Sequence, residues 1–509
     1  MSQDYYLKVA RASDLKDAKE RFLFRFFEML PGSLSLGTIG LLVFLSWRMP
    51  EVASILIIAF VLYWFFRTVY LMFHLWAGYR QMGIHEKMNW IQKLNTETPQ
   101  WKDIYHLVLV PAYEEPMDVL RQTFLGLEKS DYPKERILLV FGIEEAEGDE
   151  GERKAMLLYR EFSRSFPKFL IARHPAGLAN EIPGKGSNET WAAKEGVSKF
   201  VGPLRIPYEK VIVSSLDSDT VVGPAYFSCL TYRFLKSKDP LHTSFQPIPL
   251  FLNNIESAPA ISRIFSFSST FWHTMNQERP EKLVTFSSHA LSLRALADVG
   301  YKQTNVVSDD SRIFWQCFLF YNGNYRAEPL FYPVSMDANV ATTLASTLFN
   351  IYKQQRRWAY GAADIPYFLF GFLKNKKIPL QKKFSLGWEL FEGHWTWGTA
   401  PVVLFFAGWL PLFLGGEEFS QTLLSYSLPA FTGKVLTLAA LGLVTSAIIS
   451  INLLPRKIYQ EKWRLAFYVG QWILFPFTMI FFSALPALDA QVRLLLGRYL
   501  GFWHTPKFR

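Results

Sequence analysis

The sequence predicts an α/β domain with a mainly parallel sheet, inserted between transmembrane α-helices. Three observations predict it. Long apolar windows cluster at the two ends of the chain and leave a polar middle. Within that middle, short β-rich apolar runs alternate with stretches of helical period. The strand-like runs also end in acidic or glycine-bearing turns, where ligands sit in sheets of this class.

The composition agrees with a mixture of membrane and water-soluble parts. Half of the 509 residues are hydrophobic, 17% are aromatic, and the mean hydropathy is +0.09. A wholly soluble chain of this length carries less apolar surface, and a pure transporter is more apolar throughout. The net charge of +10 is not gathered in one tract, which argues against a nucleic-acid partner. It suits a cytosolic membrane surface and an anionic ligand such as a nucleotide diphosphate. Cys229 and Cys317 read as small core residues in a reducing compartment, not as a disulfide framework. Residues 1–31 are charged and amphipathic without the order of a cleavable signal, and read as a cytosolic segment lying on the membrane.

A bilayer crossing needs about 20 apolar residues. Windows fall at 32–47, 52–75, 395–414, 435–454 and 465–485, and Arg67 in the second marks the approach to the headgroups. The 454–465 connection carries Arg456, Lys457, Lys462 and Arg464 and is expected in the cytosol. The connection after Leu414 begins Gly-Gly-Glu-Glu and is expected outside. Counting back puts the middle domain and the N-terminus in the cytosol. Five crossings would put the basic tail (Arg493, Arg498, Lys507, Arg509) outside. Either Pro476 and Pro486 turn the last window into a re-entrant element, or a further span lies at 368–388. The expected organisation is an amphipathic segment 1–31, two spans in 32–80, a catalytic domain 81–340, interfacial helices 341–385, about three spans in 386–488 and a basic tail 489–509.

In the middle domain the strands are expected at 106–110, 137–143, 169–172 and 211–216, with helices at 117–129, 151–166 and 187–200. Each strand end carries polar residues of interest. Tyr113 and Glu115 follow the first strand, where the plainer reading is a helix cap. Glu144, beside Glu145, follows the second and can accept hydrogen bonds from a base or ribose, or belong to a solvated acidic loop. Gly184-Lys185-Gly186 opens a helix, where glycines allow close approach and a lysine favours phosphate. Walker-loop spacing is absent. Asp217-Ser218-Asp219 ends an apolar strand, and two carboxylates there are costly unless a cation joins them. Ser308-Asp309-Asp310 begins a helical pattern, as a cap or as the source of a general base. Gln354-x-x-Arg357-Trp358 supplies an amide, a guanidinium and a ring suited to pyrophosphate and sugar.

Taken in order, with the flanking spans, these motifs resemble the processive family-2 glycosyltransferases: cellulose, hyaluronan, chitin and mannan synthases. The resemblance covers about residues 108–361 by motif and the rest by architecture. It implies a GT-A fold. It implies that Tyr113, Glu115 and Glu144 hold the nucleoside and that Lys185 meets the diphosphate. Asp217 would contact nucleotide and metal, and Asp219 would ligate Mg2+ or Mn2+. Asp310, beside Asp309, would deprotonate the acceptor hydroxyl. Gln354, Arg357 and Trp358 would bind diphosphate and acceptor sugar, and Phe286-Ser287-Ser288-His289 would line the acceptor through Ser288 and His289. Ser-Asp-Asp stands here for the usual Thr-Glu-Asp, Glu144 for a usual Asp with Glu145 as the alternative match, and the acceptor segment lacks the usual glycine. No room is expected after the last span for a cyclic-dinucleotide sensor.

The implied activity is inverting transfer from a nucleotide-sugar, a UDP-sugar by expectation, to a growing β-linked polysaccharide, coupled to its export. Trp388, Trp395 and Trp397 are candidates to stack on that chain, against the plainer reading of an aromatic belt. The alternative is a non-processive enzyme adding one sugar to a lipid acceptor. A transporter with a nucleotide-binding domain ranks behind both, and a membrane scaffold behind that. The expected location is the bacterial plasma membrane. The expected partners are the donor, a glycan or lipid acceptor and membrane lipids, with a homo-oligomer or partner subunits left open.

Overall fold

The computed structural model describes residues 5–454 and 462–508. Arg456, Lys457 and Arg509, on which part of the charge reading rests, lie outside the described residues.

Among the described residues the sheet has eight strands: β1 (Tyr105–Ala112), β2 (Ile137–Glu144), β3 (Phe169–His174), β4 (Val211–Ser215), β5 (Val221–Val222), β6 (Thr243–Leu250), β7 (Ala290–Ser292) and β8 (Arg326–Ser335). Their order is β3-β2-β1-β4-β7-β6-β8-β5. The expected first half is present. β1, β2, β3 and β4 are mutually parallel, and the helices Met117–Glu128, Gly148–Phe162 and Lys185–Gly196 connect them. β1, β2 and β4 are buried along nearly their whole length, which is why they read as continuous apolar runs.

The second half was not expected. β7 runs antiparallel to both β4 and β6, β6 is parallel to β8, and β5 closes the far edge antiparallel to β8. Prolines hide β6 and β8 from a sequence reading: Pro247 and Pro249 lie in β6, and Pro329 and Pro333 in β8. Proline argues against a strand unless a bulge accommodates it, and the β6–β8 register shifts between Gln246 and Ile248.

Among the described residues, five helical runs are long and apolar enough to cross a membrane: Ala18–Arg48, Pro50–Lys87, Leu380–Leu414, Leu423–Leu453 and Lys462–Leu495. The first starts inside the segment read as amphipathic, with Asp17 capping it by accepting from Glu20 N at 2.9 Å. Among the described residues before it, Tyr5–Lys8 and Ala12–Asp14 form short 3-10 turns. Leu7, Val9 and Ala12 are buried in the domain core, Tyr367 Oη donates to Leu7 O at 3.1 Å, and Gln303 Nε2 donates to Lys8 O at 3.0 Å. Arg67 is paired with Glu392 of the third run rather than solvated. Trp395 Nε1 donates to Thr38 Oγ1 at 3.0 Å and Trp397 Nε1 to Ser483 Oγ at 2.9 Å, so each indole ties two helical runs together.

Both stretches named in the topological options make contacts with other elements. The helix Asp364–Lys374 has 11 residues, too few to cross, and its Phe370 packs on Phe24 with ring centroids 5.5 Å apart. The last run touches the sheet domain at both ends. Near its start, Arg263 of the helix Ala260–Gln277 donates to Gln471 Oε1 at 2.8 Å, and Trp472 stacks on Phe271 at 6.0 Å. Near its end, Asp489 accepts from Arg356 Nη1 of the helix Leu344–Ala359 at 2.9 Å. Between them the run is broken by Pro476, a π-turn at Ile480–Ala484 and Pro486.

Candidate active site

Two carboxylate pairs meet at the carboxyl end of β4. Asp217 and Asp219 follow the strand directly. Asp309 and Asp310 occupy the first turn of the helix Asp309–Phe320, where the helix dipole favours negative charge. Lys185, the first residue of its helix, bridges the pairs: its Nζ lies 2.5 Å from Asp217 Oδ1 and 2.9 Å from both oxygens of Asp310. Burial opposes the charge on Lys185, but Asp217 and Asp310 outweigh it and raise its pKa well above the ordinary value.

Lys302 is the second cation. Its buried ammonium contacts Glu189 and lies 3.1 Å from Asp309 Oδ2, 3.2 Å from Asp310 Oδ1 and 3.1 Å from Ser215 Oγ. The two aspartates are driven apart. Burial and the neighbouring Asp310 charge push Asp309 up to about 6. Burial also opposes ionisation of Asp310, but Lys185 and Lys302 outweigh it and hold Asp310 well below the usual carboxylate range. Asp310 is the more exposed of the two, at 24% against 4%. An ionised, accessible carboxylate is the one positioned to take a proton.

The segment Phe286–His289 adjoins both pairs. Ser287 Oγ donates to Asp217 Oδ2 at 2.6 Å. Ser288 is fully buried, holds a left-handed φ of 64° and shares a hydrogen bond with Thr220 Oγ1 at 2.9 Å. His289 is also fully buried. Its Nδ1 bonds Phe286 O at 2.8 Å and lies 3.7 Å from Asp310 Oδ1, while burial lowers its pKa to about 3 and keeps the ring neutral.

Tyr113 and Glu115 flank Glu114, another residue with φ of 64°, and such strain concentrates at functional turns. Glu115 accepts from Tyr113 N at 2.5 Å and from Ser218 Oγ at 2.6 Å, which ties the first strand end to the Asp-Ser-Asp turn. Glu114, Glu115, Met117, Glu147 and Lys154 line an open cavity of about 500 Å3 beside it. Glu144 is engaged elsewhere. It accepts from Asn188 Nδ2 at 2.9 Å and pairs with His174 Nδ1 at 2.8 Å, and no contact links it to the two aspartate pairs among the described residues.

Arg357 is half-buried over the aspartates, and its buried Nε has no hydrogen-bond partner among the described residues. A buried donor left unpaired is costly, so the position is shaped for an anion. Trp358 packs on Phe265 of the helix Ala260–Gln277 at 5.7 Å, and Gln354 Oε1 accepts from Asn339 Nδ2 at 3.3 Å.

The residues fit a divalent cation. Oxygens of Glu189, Asp309 and Asp310 lie within 4.8 Å of one another, but Lys302 already bonds all three. Asp217 and Asp219 offer further oxygens, and each of them also faces a lysine, Lys185 and Lys507. Burial raises the pKa of Asp219, and the Asp217 and Asp337 charges add to the rise. A cation with hard oxygen ligands would relieve that burden.

Sequence reasoning missed Lys302, Glu189 and Ser215, which give no local signal of burial. It also missed Ser287, although it lay inside a segment already singled out, and the tail residues His504 and Lys507. His504 Nε2 lies 3.1 Å from Glu115 Oε1, and Lys507 Nζ lies 2.6 Å from Asp219 Oδ1.

No curated protein matches the chain. Among solved structures, it is similar to the mannosyltransferase PcManGT of Pyrobaculum calidifontis in complex with GDP-Man and Mn2+. The identity is 15% over 75% of this chain and 99% of that one, with a TM-score of 0.41. It is also similar to S. aureus TarS 1-349 in complex with UDP-GlcNAc, at 13% identity over 68% of this chain and 90% of that one, with a TM-score of 0.33. The model of the glycosyl transferase family group 2 matches residues 212–485, more than half of the chain, from β4 and its aspartates through the last helical run. The mixed sheet between long apolar helices is a GT-A-like glycosyltransferase fold. The chain therefore belongs to glycosyl transferase family group 2 and is a glycosyltransferase.

Proposed function

We propose that this enzyme transfers a sugar, with inversion, from a nucleoside-diphosphate sugar to a growing β-linked glycan at a membrane. The observation that carries the reading is the convergence of Asp310, Lys185 and Arg357, whose Nε has no hydrogen-bond partner among the described residues, on the Asp217–Asp219 turn. In it, Asp310 accepts the proton of the acceptor hydroxyl. The acceptor oxygen then bonds the anomeric carbon as that carbon's bond to the diphosphate breaks on the opposite face. Lys185 and Arg357 receive the charge that develops on the leaving diphosphate. Asp217 and Asp219 would hold Mg2+ or Mn2+, which supplies further neutralisation of that diphosphate. Tyr113 and Glu115, beside the open cavity, suit the nucleoside, with Glu144 at the neighbouring strand end. Trp358, with Gln354 near it, suits the acceptor sugar, and Ser288 and His289 support the acceptor side from beneath.

For the membrane, the contacts of the last run support four crossings and a fifth element that stays on the cytosolic side. They carry the tail back to the same face as the sheet domain. That arrangement removes the conflict between five crossings and a basic tail. The test is nucleoside diphosphate release and product mass for purified protein in nanodiscs, with a donor panel and Mg2+ or Mn2+. A ladder of long products supports the polysaccharide reading. Single-sugar products on lipid would replace it with the lipid-acceptor enzyme, and hydrolysis without transfer would contradict both.

A further inference from the structure

Glu144 and His174 are the last residues of β2 and β3, and the parallel register sets them side by side. Both side chains are buried. His174 Nδ1 lies 2.8 Å from Glu144 Oε2, and His174 Nε2 lies 3.0 Å from Glu181 Oε2. Glu181 belongs to the loop that leads through Ile182, Pro183 and Gly184 into Lys185. From the helix that Lys185 opens, the Trp191 indole meets the imidazole edge-on at 6.0 Å. Arg173, the neighbour in the strand, turns to the other face and donates to Glu152 at 2.9 Å.

The other oxygen of Glu144 is held as well. Asn188, one turn after Lys185, donates its Nδ2 to Glu144 Oε1 at 2.9 Å and to Gly142 O at 3.3 Å. A Cβ on residue 142 would collide with Asn188 Oδ1, so the amide fits only against glycine. Glu144 thus has both oxygens fixed, and its charge reaches Tyr113. Burial raises the Tyr113 pKa, and the charges of Glu114, Glu147 and Glu144 add to the rise.

The ring between the two carboxylates has to donate from both nitrogens. A neutral imidazole has one N–H and one lone pair and serves only one carboxylate, whereas the imidazolium serves both. Burial opposes the charge on His174, but its bonds to Glu144 and Glu181 outweigh burial and raise its pKa. Loss of the proton would turn a lone pair toward one of the carboxylates and release it.

We propose that His174 is a positioning residue for donor binding: its imidazolium fixes Glu144, the carboxylate that reads the nucleobase, against the loop that delivers Lys185 to the diphosphate. The inference rests on the reading of Tyr113 and Glu144 as the nucleoside side. An ionised carboxylate only accepts, so the base that Glu144 suits carries a ring N–H, as uracil and guanine do. His174 acts through Glu144 and Glu181. It governs donor affinity and leaves the transfer step to Asp310. Donor binding is strongest below the raised His174 pKa and weakens as pH rises through it.

The experiment uses the full chain in nanodiscs, with UDP-glucose and GDP-mannose as probes, because their substituted diphosphates do not titrate near neutral pH. Affinity is read by calorimetry at pH 6 and pH 8.5 with Mg2+ and without acceptor, and KM and kcat are followed at the same two values. The unmodified protein is expected to bind its donor about fivefold more weakly at pH 8.5, since a preference for the charged ring is worth about tenfold per pKa unit. His174→Gln is expected to bind at pH 6 as weakly as the unmodified protein does at pH 8.5, with KM raised and kcat within about twofold. His174→Arg carries charge and several donors at both pH values and is expected to keep the stronger affinity at pH 8.5. Unchanged affinity in His174→Gln, with affinity lost in Glu144→Gln, overturns the role of His174 and leaves Glu144 as the nucleoside reader. Donor binding indifferent to both substitutions overturns the nucleoside reading too. A fall in kcat with KM unchanged would place His174 in the support of the transfer step and overturn the proposal as well. The His174→Gln result stands whatever the folding of His174→Arg.

Discussion

Asp309–Asp310 and Asp217–Asp219 are both carboxylate pairs in one cleft, but the lysines that face them come from different parts of the chain. Lys302 lies in the turn just before the helix of the first pair, and its side chain is 5% exposed. Lys507 reaches the second pair from an irregular tail and is 17% exposed. Lys302 bonds oxygens of Glu189, Ser215, Asp309 and Asp310 at once, whereas Lys507 holds one oxygen of Asp219. The difference teaches how one site keeps two kinds of charge compensation. The counter-charge of Asp309 and Asp310 is built into the domain. The counter-charge of Asp219 belongs instead to a segment without regular secondary structure.

Breaking the comparison begins with the lysines. Lys302→Met leaves Glu189 and Asp309 buried without their partner and is expected to destabilise the domain by about 3–5 kcal/mol. Lys507→Met is expected to change stability by less than about 1 kcal/mol. Chemical denaturation of the two variants checks this, and equal losses would show that the tail is as much a part of the fold as Lys302. A second, comparable effect falls on catalysis. Asp219→Ala is expected to lower turnover by a hundredfold to a thousandfold or so, with the fold intact by circular dichroism. Metal-stimulated turnover that survives the substitution would remove Asp219 from the cation site.

A pH profile sharpens the roles inside the first pair. Lys185 and Lys302 keep Asp310 ionised against its burial, so kcat/KM is expected to stay level from pH 7 to below 5. An acidic limb centred near 6 would transfer the base to Asp309, which burial and the Asp310 charge push up to about 6.

The smallest expected effect concerns a third carboxylate, Glu144, whose counter-charge is titratable. Burial opposes protonation of His174, but its bonds to Glu144 and Glu181 outweigh burial and raise its pKa. A folded pKa above the unfolded value gives stability that is full below about 6.5 and is lost as pH rises through the folded value. His174→Gln should therefore cost about 1 kcal/mol more at pH 6 than at pH 8.5. Denaturation midpoints whose difference does not vary with pH would contradict it.

The sequence made some parts of this site legible and hid others for physical reasons. β1, β2 and β4 announce themselves because burial on both faces leaves unbroken apolar runs. Asp217, Asp219, Lys185 and Asp310 are legible because charged residues at the ends of such runs need a reason. β6 and β8 are hidden by Pro247, Pro249, Pro329 and Pro333, whose cost is absorbed by a bulge that only the paired strands display. Lys302 is hidden because nothing in Gly300-Tyr301-Lys302-Gln303 distinguishes a buried lysine from a surface one. The tail was legible as charge and not as position. Its residues meet Glu115 and Asp219 only because the last helical run returns to the sheet domain, and that return depends on contacts such as Arg263 with Gln471.

The most direct measurement is nucleoside diphosphate release from a panel of nucleotide-sugars with Mg2+ or Mn2+, comparing the unmodified enzyme with Asp310→Asn. Release from one donor with acceptor present, lowered by about a hundredfold or more in the variant while donor binding persists, is the predicted result. Release that is unchanged in Asp310→Asn would contradict the assignment of Asp310 as the base and the mechanism built on it.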